Sequence, residues 1–580
     1  MLRAEREIER IHERYAPLDQ RVDELLANIR GACEKRPEES FNRANERQVE
    51  EFIARLAAEF PGVAVERQRL STWALRTTRF NYIFTVPGES DDRIVLVAHY
   101  DTWRGPGADD NTTGEEIVKQ YLLADLRAAA PPRLTHAYFL AGSEECGLVG
   151  LLSQLLLAIA LQAATFALIQ ENWWYLLGAL FAAPLASYRF GVSGSREYVR
   201  SLKENDLRKI RAVVSVDSVG EGRLYIPRGT MGADFLHVLI PFGDYDSLND
   251  LLEEGAHLHG IKYNNFLAGG TTDHVSFLEV NNGLWQRLGD LARRALARIA
   301  GRAYTPPLRI PASALVAMVP GKASPVVFGG KIHTARDIPD RVYPGPLRET
   351  LQVLDYLFHR LETGVRPDTP RDPAECHYAR LYRSDGEYLL ALKDAVEPNR
   401  RNVNVVYRAD AEITGKTAVV RLREAVWWGV DTRLRDEVRE YCESRGRPWE
   451  RVRLDELEVA TGEQRLRFAR RSSPALWLAK WGHRLTAGAQ NVVRRFLFLT
   501  FFALAYVLSE VFGWLFDVAF TVFPGFAVWF VEHATVSMVA VIATELGILL
   551  HLMARRVPAW IDNGYRHENR GDNLGSLRRG

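Results

Sequence analysis

The sequence predicts an α/β fold: a mainly parallel mixed sheet sandwiched by helices, joined to helical hairpins of bilayer-spanning length and a small C-terminal α/β domain. Three observations carry this. Short apolar runs bounded by polar turns, at Arg93–Ala98, Thr135–Leu140 and Ala212–Val216, suit strands buried on both faces. Helical patterns such as Glu115–Arg127 lie between them, and strands alternating with helices argue for a parallel sheet. Two further blocks, 148–190 and 495–555, are almost wholly apolar, and about 20 such residues suffice for one crossing helix.

Taken in order, residues 1–40 begin with a charged amphipathic helix that lacks the short apolar core of a secretory signal. From Asn42 to Phe60 apolar residues recur at helical spacing, and Gly62 ends the run. Strands follow at Val63–Arg67 and Phe80–Val86, and the sheet-forming region extends over 41–365. The block 148–190 interrupts it, with Trp173 and Trp174 inside and Tyr188 at its end as interfacial anchors. Residues 374–475 read as the small α/β domain, with strands at Tyr388–Leu392, Val403–Tyr407 and Thr417–Leu422. The block 495–555 is the second hairpin, and 556–580 is a polar tail.

Neither Lys nor Arg occurs in 134–188 or 496–554, whereas Arg189, Arg196, Arg494, Arg495, Arg555 and Arg556 crowd the outer ends. By the positive-inside tendency this predicts an integral, multi-pass membrane protein of about four helices, its main domains on the cytoplasmic face and the lipid bilayer as a partner. Composition narrows the remaining classes. Lys+Arg (74) and Asp+Glu (73) balance, so nothing points to nucleic acid. Four scattered cysteines without a CxxC pair suggest neither a disulfide framework nor a thiolate zinc site.

Five polar elements mostly follow the predicted strands: His99-Tyr-Asp101, Ala108-Asp109-Asp110-Asn-Thr-Thr-Gly114, Glu144-Glu145, Asp217 and His333-Thr-Ala-Arg-Asp337. Ligands of open α/β sheets bind at the carboxyl ends of strands. Carboxylates and imidazoles without thiolates suit zinc or another divalent cation in a hydrolytic site.

In this order the elements resemble the two-zinc aminopeptidases of metallopeptidase family 28, whose pattern is HxD, D-[DN]-x-[ST]-G, EE followed by GLxG, a lone Asp after a strand, and HT-x-x-D. The resemblance covers roughly residues 42–363, interrupted by the first hairpin. It implies a zinc-aminopeptidase-like fold, two Zn2+ per chain and a peptide substrate. It further implies that His99, Asp110 and Asp217 hold one zinc and Asp110, Glu145 and His333 the other. Aligned on Gly114, Asp110 rather than Asp109 is the bridging ligand. Asp101 would accept the second N–H of His99, and Glu144 would be the general base, taking a proton from the attacking water and giving it to the leaving amine. Thr272-Asp273-His274 resembles the family's SDH segment and, with Asp337, would support the site from behind the ligands. The same scaffold also serves dipeptidases, carboxypeptidases, glutaminyl-cyclase-like acyl transfer and receptor-like proteins without activity. An insertion at about 281–309 carries a basic amphipathic stretch, Leu284–Tyr304, that suits either packing on the protein or an anionic membrane surface.

Overall fold

The computed structural model describes residues 15–145, 192–227, 246–263, 272–319, 331–363, 376–394 and 403–469 with short interruptions, Lys322, scattered residues between 511 and 544, and 574–576. A seven-stranded sheet comprises β1 (Ala64–Arg69), β2 (Phe80–Val86), β3 (Ser90–His99), β4 (Leu134–Ala141), β5 (Ile210–Asp217), β6 (Arg223–Tyr225) and β7 (Ala312–Met318). Its order is β1-β2-β4-β3-β5-β7-β6. The four central strands β4, β3, β5 and β7 are parallel, and β1, β2 and β6 join antiparallel at the two edges.

Alternation along the pleat sends successive side chains to opposite faces, which is why the central strands are apolar throughout. Ile94, Leu96 and Ala98 of β3 face one core. Helices α1 (Leu18–Glu34), α2 (Phe41–Glu59), α3 (Thr113–Arg127), α5 (Asp246–Leu258) and α8 (Pro344–Thr363) cover that face. Val95 and Val97 face the other, under α4 (Ser193–Ser201) and α6 (His274–Leu278). Helix α1 belongs to this same core: Val22, Leu25, Ile29 and Cys33 repeat at three- and four-residue steps and are buried. Its Arg21 is buried too, paired with Asp355 of α8 at 2.8 Å and lying over the rings of Tyr15 and Tyr121. The inserted helix α7 (Leu284–Ile299) leaves Leu296 and Ile299 exposed.

Residues 376–469 form a second sheet. Its strands are β8 (Cys376–Ser384), β9 (Glu387–Asp394), β10 (Val403–Thr414), β11 (Thr417–Val430), β12 (Glu450–Arg451), β13 (Glu456–Thr461) and β14 (Gln464–Ala469). A short strand from the tail, β15 (Leu574–Ser576), fills the seam between β8 and β14. Because β8 also pairs with β9, the sheet closes on itself. Closure leaves fewer free edges, and the enclosed side chains, among them Leu381, Leu392, Val405, Val420, Trp428 and Phe468, make a separate core. Among the described residues of this region helical turns occur only at Val438, Tyr441 and Cys442, so it is chiefly β where an α/β domain was expected.

The expectation of an integral membrane protein is corrected. Among the described residues no helix is long and apolar enough to cross a membrane. The two with 19 or 20 residues, α2 and α8, are charged as well as apolar: α8 alone carries Arg348, Glu349, Asp355, Arg360 and Glu362. Such helices bury one stripe against a sheet rather than their whole circumference in lipid. The block 148–190 lies outside the described residues, and 495–555 is described only at scattered positions.

Far from the carboxyl ends of the strands, His136 of β4 is buried between two acids. Its Nδ1 lies 2.5 Å from Asp125 of α3 and its Nε2 2.8 Å from Glu362 of α8. The Tyr138 hydroxyl donates to Asp125, and Phe358 packs edge-on against the imidazole. Burial opposes the charge, yet Asp125 and Glu362 outweigh it and raise the imidazole above its ordinary value. With the folded value above the unfolded one, the stabilisation is complete below the ordinary imidazole value of about 6.5 and is lost as pH climbs through the raised one. Wild type is therefore expected to lose urea stability relative to His136→Gln as pH rises from 6 to 9. Parallel pH curves for the two proteins would show that His136 contributes no such term.

Candidate metal centre

All the sequence-predicted ligands gather at the carboxyl ends of the parallel strands. His99 and Asp217 are the last residues of β3 and β5, Glu144 and Glu145 follow β4, and His333 lies between β7 and α8. Asp110 belongs to the loop between β3 and α3. Gly114 lets that loop and helix approach the sheet, since a Cβ there would lie 2.2 Å from the carbonyl oxygen of Val216. Asn111 pins the contact, donating to the Val216 carbonyl at 2.8 Å while its own oxygen accepts from the Gly114 N–H at 3.0 Å. The peptide bond between Asp110 and Asn111 is cis. Three non-glycine residues at the site hold positive φ: Ser143 (55°), Ser218 (52°) and His333 (61°). Such conformations cost about 1–3 kcal/mol each and persist where the surroundings impose them. At Ser143 the imposing contacts are explicit, because its hydroxyl accepts the N–H groups of Thr77 and Thr78 at 2.9 and 3.0 Å.

Asp110 stands in the middle. Its Oδ1 lies 3.2 Å from Nε2 of His99 and its Oδ2 lies 2.9 Å from Nε2 of His333. Asp217 flanks His99 at 3.6 Å, and Glu145 flanks His333 at 3.3 Å. One ligand atom each from His99, Asp110 and Glu145 can be chosen so that all lie within 4.8 Å of one another. His99, Asp110, Glu145 and Asp217 are buried, whereas the His333 side chain is 49% exposed. The neighbouring Asp109 turns away, toward Lys322 at 2.6 Å and the Gly220 N–H at 2.7 Å. Two adjacent carboxylates thus point in opposite directions, and only Asp110 faces both imidazoles.

The supporting residues are equally defined. Nδ1 of His99 lies 3.0 Å from the backbone carbonyl of Asp101, so its N–H is donated there and Nε2 is turned to the cluster. The Asp101 carboxylate is 3.6 Å from the same nitrogen. It accepts the backbone N–H groups of Glu144 and Glu145, each at 3.0 Å, and the Thr77 hydroxyl. Asp337 does the same for the other loop, accepting the N–H groups of Asp109 (2.7 Å) and Asp110 (3.1 Å). Asp273 is fully buried, and burial pushes its carboxyl up to about 7 against the pull of His99. His274 meets the Thr272 hydroxyl at 2.6 Å, and burial lowers its imidazole to about 3, so it is neutral.

Sequence reasoning missed two buried cations at this loop. Arg36 reaches in beyond α1 and donates to the Pro106 carbonyl and the Thr112 hydroxyl, both at 2.6 Å, with Glu115 at 3.3 Å. Lys322 holds Asp109 from beneath. Neither lies in a motif, and a lone basic residue in sequence reads as surface.

The donor set fits a divalent cation. His99 Nε2 and Glu145 Oε1 are buried and make no hydrogen bond, which in a folded interior marks groups awaiting a partner. Burial drives Glu145 up to about 6, against the charge of His333. Burial acts on Asp110 in the same direction, but the two imidazoles beside it, His333 and His99, outweigh it and hold that carboxyl well below its usual range. A cation taking up these ligands displaces their protons, so its affinity falls in acid. Oxygen and imidazole nitrogen without thiolate is a donor set for zinc, manganese or cobalt.

Residues 81–357 match the model of Peptidase family M28. This segment spans β2 to the last turns of α8 and contains every residue of the cluster. Among solved structures the chain is similar to BSAP, a zinc aminopeptidase from Bacillus subtilis, at 16% identity and a TM-score of 0.30, covering 49% of this chain and 50% of that one. It is similar to the LapA aminopeptidase of Legionella pneumophila at 13% identity and a TM-score of 0.38, covering 62% and 74%. It is similar to a glutaminyl cyclase of an Acidobacteriales bacterium at 18% identity and a TM-score of 0.39, covering 60% and 97%. The chain thus spans about half the length of BSAP. No curated protein matches it. Likenesses at this level say nothing about substrate.

Proposed function

We propose that the M28-matching segment is a two-zinc peptidase that removes N-terminal residues from peptides. One observation supports this above the others: the Asp110 carboxylate lies between two imidazoles, 3.2 Å from His99 and 2.9 Å from His333, with a further carboxylate beside each. That is a donor set for two cations sharing one carboxylate, which offsets the repulsion between them. His99, Asp110 and Asp217 would hold one ion, and Asp110, Glu145 and His333 the other. When bound, the ions supply Lewis acidity, lowering the pKa of a water and polarising the scissile carbonyl.

The chain supplies the proton transfers and the positioning. Glu144 borders the cluster without belonging to its ligand set, and burial raises its carboxyl well above the usual range, opposed by the charge of His99. Its carboxylate accepts the proton of the attacking water and hands it to the departing amine nitrogen. Asp101 fixes where that carboxylate sits by gripping the backbone N–H groups of Glu144 and Glu145. Asp337 grips the loop of the shared ligand in the same way.

The decisive experiment is zinc content together with hydrolysis of a panel of aminoacyl-coumarins and of peptides with free and acetylated N-termini. Two zinc ions per chain and cleavage only of free N-termini support the reading. Equal cleavage of acetylated peptides would replace it with another hydrolase of this scaffold. Cyclisation of N-terminal glutamine without hydrolysis would replace it with acyl transfer, and protein without metal or activity would leave a binding scaffold.

A further inference from the structure

Lys322 is fully buried, and its surroundings are unusually specific. The ammonium pairs with Asp109 Oδ2 at 2.6 Å. It also donates to the carbonyls of Ser218 (2.5 Å), Ala317 (2.6 Å) and Glu221 (3.0 Å). Its own backbone carbonyl accepts the N–H groups of Lys331 (3.0 Å) and Ile332 (3.3 Å). One residue thereby reaches three segments that each carry a candidate ligand. Asp109 precedes Asp110, Ser218 follows Asp217, and Ile332 precedes His333. A buried ammonium is costly to desolvate, and here every N–H has an acceptor and the charge has a counter-ion.

The geometry points to Lys322 as a positioning residue of the metal centre, a buried brace that fixes Asp110, Asp217 and His333 relative to one another through Asp109, Ser218 and the 331–332 backbone. The reading rests on the proposed metal site. Lys322 touches none of the ligand side chains in the described contacts, so its effect passes through the three backbones. The distinction from an ordinary buried ion pair is what it joins. An ion pair that merely supports the fold would change the melting temperature and leave the affinity of the folded site for metal unaltered. A brace changes both, because ligands that sit out of register no longer converge on one ion.

The test is zinc affinity of the full chain, by competition with a chromogenic chelator, for wild type, Lys322→Met, Asp109→Asn and the double variant, with melting temperatures measured on metal-free protein. Asp109→Asn leaves the three carbonyl bonds of Lys322 in place, so it serves even where Lys322→Met does not fold. Removing groups that orient metal ligands costs about 10–100-fold in metal affinity, and each single variant is expected to lose that much. The double variant should bind no more weakly than Lys322→Met alone, since that change already removes the Asp109–Lys322 link that Asp109→Asn breaks. Folded Lys322→Met or Asp109→Asn with wild-type zinc affinity would overturn the inference, as would losses that multiply in the double variant. Wild-type protein that takes up no zinc would overturn the proposed function and this inference with it.

Discussion

Glu144→Gln is expected to retain its metal and lose kcat by about 10²–10⁴-fold, the range for removing a positioned general base. In free energy this is about 3–5 kcal/mol of barrier. The substitution keeps the side chain's length and planar head group but removes its capacity to take a proton. Little else should change, because the backbone at this position is held independently. Asp101 receives the Glu144 N–H at 3.0 Å, and the Glu144 carbonyl accepts the N–H of Val192 at 2.8 Å. Unchanged KM with depressed kcat would place the loss in the chemical step. A variant that keeps its metal and most of its turnover would remove Glu144 from the mechanism.

Asp110→Asn is the second large effect, and it falls on binding rather than on chemistry. Among the described residues the carboxylate alone lies within 3.2 Å of both imidazoles, and its negative charge is what the two proposed cations would require between them. An amide keeps the shape and loses the charge. The loss in zinc affinity should exceed the about 10–100-fold expected for a supporting group. A folded-state ligand at a thousand times its Kd stabilises by about 4 kcal/mol, so zinc should raise the melting temperature of wild type clearly and that of the variant far less. Equal zinc-induced shifts in the two proteins would mean that Asp110 is not the shared ligand. Asp109→Asn separates the two adjacent acids, since Asp109 faces Lys322 and not the imidazoles.

Much of the sheet was legible because its signals are local. Phe80–Val86 coincides with β2, and the runs ending near His99, Leu140 and Val216 lie within β3, β4 and β5. Strand β7 escaped notice: Ala-Ser-Ala-Leu-Val-Ala-Met is rich in small residues and follows the inserted helix, so nothing nearby marks it as a central strand. The second sheet was only partly foreseen. Its strands are readable one at a time, but closure depends on the pairing of β8 with β9 and on a short strand from the tail, and neither pairing has a local signal. The membrane expectation rested on composition alone, and it is overturned because no helix among the described residues is long and apolar enough to cross a membrane; the two blocks that prompted it lie outside those residues or are described only at scattered positions.

By itself the sequence determined which residue types are available for chemistry and where they stand relative to strands: two imidazoles and the carboxylates of Asp110, Glu144, Glu145 and Asp217, with His99, the Glu144–Glu145 pair and Asp217 just after an apolar run. Periodicity and motif order are properties of neighbours along the chain, so they survive in the sequence. Tertiary structure alone decided that Asp109 turns to Lys322, that the backbone carbonyl of Asp101 takes the His99 N–H while its carboxylate holds the Glu144–Glu145 loop, and that Arg36 and Lys322 are buried beneath the ligand loop. Those choices are settled by contacts between segments up to about two hundred residues apart, as between Asp109 and Lys322, where burial makes each unpaired charge costly and leaves few arrangements that satisfy them all.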